Sequence, residues 1–62
     1  MNELERILGD LERTHEELND LAMSILSRTI DEGGTTRPET EKRVSQARRS
    51  VAKAIEQLRA AL

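Results

Sequence analysis

The chain has 62 residues, with ten basic and twelve acidic side chains and neither cysteine nor any aromatic residue. Its core must therefore be aliphatic, and disulfides and a His/Cys zinc site are excluded. Charge is divided along the chain: residues 1–34 carry nine acidic and three basic side chains, whereas residues 35–62 carry three acidic and seven basic ones. The two halves are therefore predicted to attract each other.

Several classes of protein do not fit this composition. No segment approaches the roughly 20 apolar residues of a membrane span, and the N-terminus lacks the regions of a signal peptide. No cysteine nucleophile, glycine-rich phosphate loop or Ser/His/Asp arrangement is present. We therefore expect a cytoplasmic protein that is not an enzyme, needs no cofactor and does not associate with membranes.

The first half has the periodicity of an amphipathic helix, predicted over about residues 3–31. Its apolar stripe is wider than one partner helix can cover, which indicates a bundle. Gly9 either marks a close helix crossing or is tolerated at about 1 kcal/mol relative to alanine, and we favour tolerance. The predicted core positions of this helix are Leu4, Leu11, Leu18, Leu21 and Ile25.

A turn is predicted at residues 32–36, because Gly33 and Gly34 supply the backbone freedom that ends a helix. Thr36 and Glu39 have the spacing of a capping box, with Pro38 in the first turn, so a second helix is predicted over about 37–61. We call Val44, Val51 and Leu58, which recur every seven residues, the aliphatic seam of this helix. Ile55 lies on its flank, and Ala47, Ala54 and Ala61 join it as small residues that allow close approach.

These elements predict an all-α fold in one domain spanning residues 1–62. Two helices of similar length joined by a short loop form an antiparallel hairpin, or coiled coil. Such a hairpin buries too little apolar surface to offset the entropy of ordering its residues. We therefore expect it to self-associate, as a homodimer or larger assembly, into a four-helix bundle. The pattern does not distinguish a dimer from a tetramer.

One face of the second helix carries polar residues in a regular pattern. Glu41, Ser45, Arg48, Ala52 and Glu56 follow one another at steps of four, three, four and four residues, so they share a helical face. Relative to the aliphatic seam, this face is predicted to point mainly away from the hairpin interior. It is therefore either a binding face or a solvated face with no ligand.

This pattern resembles the motif E-x3-S-x2-R-x3-Q-x3-D of the RsiG-type anti-sigma factors of actinobacteria, small antiparallel coiled coils that bind cyclic di-GMP. Glu41, Ser45 and Arg48 match its first three elements, while Ala52 stands in place of Gln and Glu56 in place of Asp. The resemblance covers about 22 residues of the second helix and includes Arg49 beside the motif.

The resemblance implies a homodimer that binds cyclic di-GMP and sequesters a WhiG-type sigma factor in transcription regulation. It also implies the roles of the site residues. Arg48 and Arg49 would meet phosphate or the acceptor edge of guanine, Ser45 would contact phosphate, and Glu41 and Glu56 would accept guanine N–H groups. The implied activity is ligand binding with no bond made or broken, and these five residues are the candidate ligand site.

Three alternatives stay open. The chain is a structural or adaptor bundle with no small ligand, or its basic cluster (Lys42, Arg43, Arg48, Arg49 and Lys53) contacts RNA. The acidic total charge and the lack of aromatic residues disfavour a nucleic-acid partner. Glu12 and His15, with Glu16 beside them, have the spacing of di-iron sites in bundles. A lone histidine on the core side of a helix is more commonly a hydrogen-bonded core residue, so we predict no metal.

Overall fold

The computed structural model describes residues 2–62, in which two α-helices are joined by a turn. Helix α1 spans Glu3–Asp31 and helix α2 spans Glu39–Ala60. The two helices pack against each other, and an ion pair between Glu12 and Arg59 joins the first half of α1 to the last turn of α2. The helices are therefore antiparallel, and the hairpin measures 47 × 16 × 11 Å. Among the described residues there is no strand, so the fold is an all-helical hairpin.

Both ends of α1 are closed by local hydrogen bonds. At the start, the Asn2 side chain accepts a hydrogen bond from the Glu5 N–H at 2.8 Å. At the end, the N–H of Gly33 donates to the carbonyl of Ile30 and the N–H of Gly34 donates to that of Thr29, both at 2.9 Å. Gly33 has φ of 81°, so this is a Schellman motif. The prediction that the two glycines end the first helix is confirmed.

The start of α2 differs from the prediction. No capping box forms at Thr36, because α2 begins at Glu39 with Pro38 as its N-cap and without a side-chain cap. The physical reason is that the proline ring clashes with the backbone of the preceding residue and disfavours helical dihedral angles there. Arg37 therefore cannot be the first helical residue, and the helix starts after the proline.

Among the described residues, the buried apolar ones are few: Leu8, Ala22 and Ile55. Most predicted core positions of α1 are half-buried, and these are Leu4, Leu11, Leu18 and Ile25. Leu21, a predicted core position, is 47% exposed, because its neighbour Ala22 occupies the centre of the buried face. Gly9 does not lie at a close crossing, since a Cβ there would meet only Arg13 Nη1 at 4.0 Å.

The orientation of α2 about its own axis differs from the one that the sequence predicts. Glu41 and Ser45, predicted to point away from the hairpin interior, are only 2% and 3% exposed. The aliphatic seam of Val44, Val51 and Leu58 is half-buried, and 3.6 residues per turn place it on one edge of the face that carries Glu41, Ser45 and Ile55. The small residues predicted to line the contact, Ala47, Ala54 and Ala61, are exposed. Helix α2 therefore presents its polar face, together with Ile55, to α1.

Candidate functional site

The buried polar face of α2 is built around the carboxylate of Glu41. Arg37, in the turn before the helix, donates to Glu41 through Nε and, at 3.0 Å, through Nη2. The Ser45 hydroxyl, one helical turn further on, donates to Glu41 Oε1 at 2.7 Å. A buried carboxylate is tolerated only when paired and hydrogen-bonded, and here both conditions are met. We call these three residues the Glu41 cluster.

The cluster favours the ionised form of Glu41. The hydrogen bonds from Arg37 and then Ser45 lower the pKa of the Glu41 carboxyl below its ordinary value, and the positive charges of Arg37 and Arg48 act in the same direction. Burial acts against them, because it penalises a charge. The same contact with Glu41 raises the pKa of Arg37. Glu41 is therefore an anion bound internally, and its oxygens are already engaged.

Arg48 is placed differently. The residue as a whole is half-buried, and its Nε atom is buried without a hydrogen-bond partner. Within residues 2–62, the Arg48 side chain donates no hydrogen bond. The antiparallel register of the Glu12–Arg59 pair brings the small side chain of Ala22 level with this turn of α2. Arg48 thus lies at the interhelical contact with donor capacity unused, which is what recognition of an anion or acceptor group requires.

The five predicted ligand residues do not form one exposed face. Glu41 and Ser45 are buried, Arg48 and the intervening Ala52 are half-buried, and Arg49 and Glu56 are exposed. A ligand reaching all of them would have to enter the space between the helices. The structure brings the first three predicted residues together but satisfies two of them internally.

A shallow groove of about 350 Å³ runs along one side of the hairpin. It is lined from α1 by Glu12, His15 and Glu16, and from α2 by Ala52, Ile55, Glu56 and Arg59. The residues considered for a di-iron site therefore do share one surface. Among residues 2–62, however, no three histidine or acidic side chains are arranged to hold a metal ion.

The opposite side of the hairpin is apolar. Leu18, Leu21 and Ile25 lie on the flank of α1 away from Glu12 and Glu16, given 3.6 residues per turn. By the same geometry the aliphatic seam of α2 lies on the flank away from Ala52 and Glu56. These six residues are half-buried or exposed, and we call them the open face: Leu18, Leu21, Ile25, Val44, Val51 and Leu58.

Two features of this arrangement were missed by sequence reasoning. Arg37 was not singled out, although its spacing of four residues from Glu41 is that of a helical ion pair. The open face was missed because the seam of α2 was assigned to the contact with α1. The polar residues beside that seam have the same helical period, so periodicity alone does not say which of the two faces is buried.

Comparison with known proteins adds no assignment, since no protein family, curated protein or solved structure matches the chain. Within residues 2–62, neither helix has the length and apolar character needed to cross a membrane.

Proposed function

We propose that this chain is a protein-binding helical hairpin that acts as a homodimer, in which two copies pack through their open faces into a four-helix bundle. The observation that carries the proposal is the position of the aliphatic seam of α2. Val44, Val51 and Leu58 lie at the edge of the contact with α1 and remain partly accessible. Since Leu18, Leu21 and Ile25 lie on the same side, a second helical pair can cover all six.

The exposed area supports this proposal. The chain exposes 4716 Å² for a mass of 7.0 kDa, whereas a compact monomer of that mass exposes about 4,000 Å². The surplus is close to the roughly 800 Å² that each partner buries in a standard interface. Within residues 2–62, the buried apolar core consists of Leu8, Ala22 and Ile55, so covering the open face would add apolar burial that the hairpin alone lacks.

The test is the mass of the chain in solution, measured by sedimentation equilibrium, for the parent chain and two variants. Val51→Asp places a charge in the open face and is expected to convert the dimer to a monomer, because a carboxylate buried there has no partner. Gln57→Asp introduces the same side chain on the exposed surface of α2 and is expected to leave the dimer intact. A monomeric parent chain would refute self-association.

A second candidate is a regulatory binder that responds to cyclic di-GMP and sequesters a sigma factor. The observation that favours it is Arg48, whose buried Nε has no partner. Arg49 and Glu56 are accessible to a ligand in the adjoining groove, whereas Glu41 and Ser45 would first have to exchange their mutual hydrogen bond for contacts with the nucleotide. Isothermal titration of the parent chain and of Arg48→Ala with cyclic di-GMP tests this candidate.

A further inference from the structure

The division of charge between the helices restricts how a second copy can dock on the open face. Residues 1–34, which contain α1, have nine acidic and three basic side chains, and residues 35–62, which contain α2, have three acidic and seven basic ones. Within the described chain, the Glu12–Arg59 ion pair joins the two helices, and the other ion pairs lie within one helix or between α2 and the turn that precedes it. Most of the net charge of each helix is therefore not neutralised by ion pairs with the other helix of the same chain.

Two twofold arrangements bring the open faces together. If the axis runs parallel to the helices, α1 of one copy faces α2 of the other, and the two turns lie at the same end. If the axis runs across the helices, α1 faces the partner's α1, α2 faces the partner's α2, and the turns lie at opposite ends. The second arrangement brings like-charged helices together over their full length.

The position of Glu17 illustrates the difference. It is the central residue of α1, which spans Glu3–Asp31, and it lies on the flank that borders the open face. If the axis runs across the helices and the two α1 helices overlap fully, Glu17 of one chain lies next to Glu17 of the other, and the two carboxylates repel each other. With the axis parallel to the helices, the register of the Glu12–Arg59 pair brings Glu17 level with Ala54 in α2 of the other copy, where no like charge opposes it.

The parallel axis does bring Arg28 near the level of Arg43 of the other copy. Arg43 already forms an ion pair with Glu39 at 3.3 Å, so the repulsion between Arg28 and Arg43 is partly offset. The summed charges of the helices therefore decide the arrangement.

We infer that a second copy of this chain occupies the open face with the twofold axis parallel to the helices, so that α1 packs against the partner's α2 and both Gly33–Gly34 turns lie at one end of the bundle. Each helix then has two neighbours of opposite charge, one from its own chain and one from the partner. This inference rests on the proposed function, because it requires the dimer.

The chain contains no cysteine, so single cysteines can be introduced and spin-labelled without a background. Thr35→Cys labels the exposed turn, and Ala60→Cys labels the opposite end of the hairpin, also at an exposed residue. Distances between copies are then measured by double electron–electron resonance, and light scattering on the same samples gives the mass.

For each variant alone, the parallel axis predicts a distance between labels below roughly 30 Å, since the labelled ends are separated only by the width of two helix layers of about 10 Å. A mixture of the two variants is expected to add a long distance near the 47 Å length of the hairpin. A dimer in which each variant alone gives the long distance, and only the mixture gives the short one, would overturn the orientation and leave the dimer proposal standing. A monomeric mass would overturn both.

Discussion

Dilution should lower the melting temperature of this protein, because the open face is covered only when two chains associate. If folding and association occur together, the free energy of unfolding of the dimer falls by about 1.4 kcal/mol for each tenfold dilution. Unfolding enthalpies of about 0.7 kcal/mol per residue give about 43 kcal/mol for a chain of 62 residues. The dimer then has about 87 kcal/mol, and the melting temperature shifts by about 6 °C for each tenfold dilution.

Circular dichroism at the helical minimum, recorded during heating over a hundredfold range of concentration, measures this shift. The exposed control Gln57→Asp should show the same dependence as the parent chain, whereas Val51→Asp should melt at a lower temperature that does not change with concentration. A melting temperature of the parent chain that is independent of concentration would refute the reasoning, since a hairpin folding alone has no such dependence.

Four further predictions concern Gly9 in α1, Gly33 in the turn, the Glu41 cluster and the ligand. Gly9→Ala should stabilise the hairpin by about 1 kcal/mol, because the added methyl group meets no atom closer than 4.0 Å. Gly33→Ala should destabilise it by about 1 kcal/mol, because φ is 81° there; urea denaturation measures both changes, and equal stabilities would contradict the assignment of the turn. The Glu41 pKa is lowered on folding, so stability is lost as the pH falls below the ordinary value of 4.5 and through the folded-state pKa. Glu41→Gln should lack this loss in acid titrations followed by circular dichroism, and identical profiles would argue against the cluster. Isothermal titration with cyclic di-GMP should give heat with the parent chain but none with Arg48→Ala at unchanged mass, and no heat with the parent chain would end the nucleotide hypothesis.

The secondary structure could be predicted because its signals are local. The heptad spacing of Leu4, Leu11 and Leu18 indicates α1, and Gly33 and Gly34 end it through hydrogen bonds that depend only on neighbouring residues. The start of α2 was misplaced by two residues because two local signals competed. The capping spacing of Thr36 and Glu39 favoured an earlier start, but the steric effect of Pro38 on Arg37 prevailed.

The spacing of the candidate residues predicted that they share a helical face, but it did not predict which way that face points. Glu41, Ser45 and Arg48 do lie on one helical face, as their spacing indicates. Their burial was not expected, because a charged face is ordinarily solvated. The rule fails here because Arg37 supplies two hydrogen bonds to Glu41, and that pairing depends on the geometry of the turn.

By itself, the sequence determined that this protein is two amphipathic helices of opposite charge joined by a turn at two glycines, since periodicity, glycine dihedrals and charge are properties of short segments. Only the tertiary structure decided which face of α2 meets α1. Two adjacent faces of α2 share the helical period, one with Glu41 and Ser45 and one with Val44 and Val51. Which of them is buried depends on whether the Glu41 carboxylate accepts hydrogen bonds in the buried position. Because it does, the aliphatic seam stays at the edge of the hairpin, where it is available to a partner.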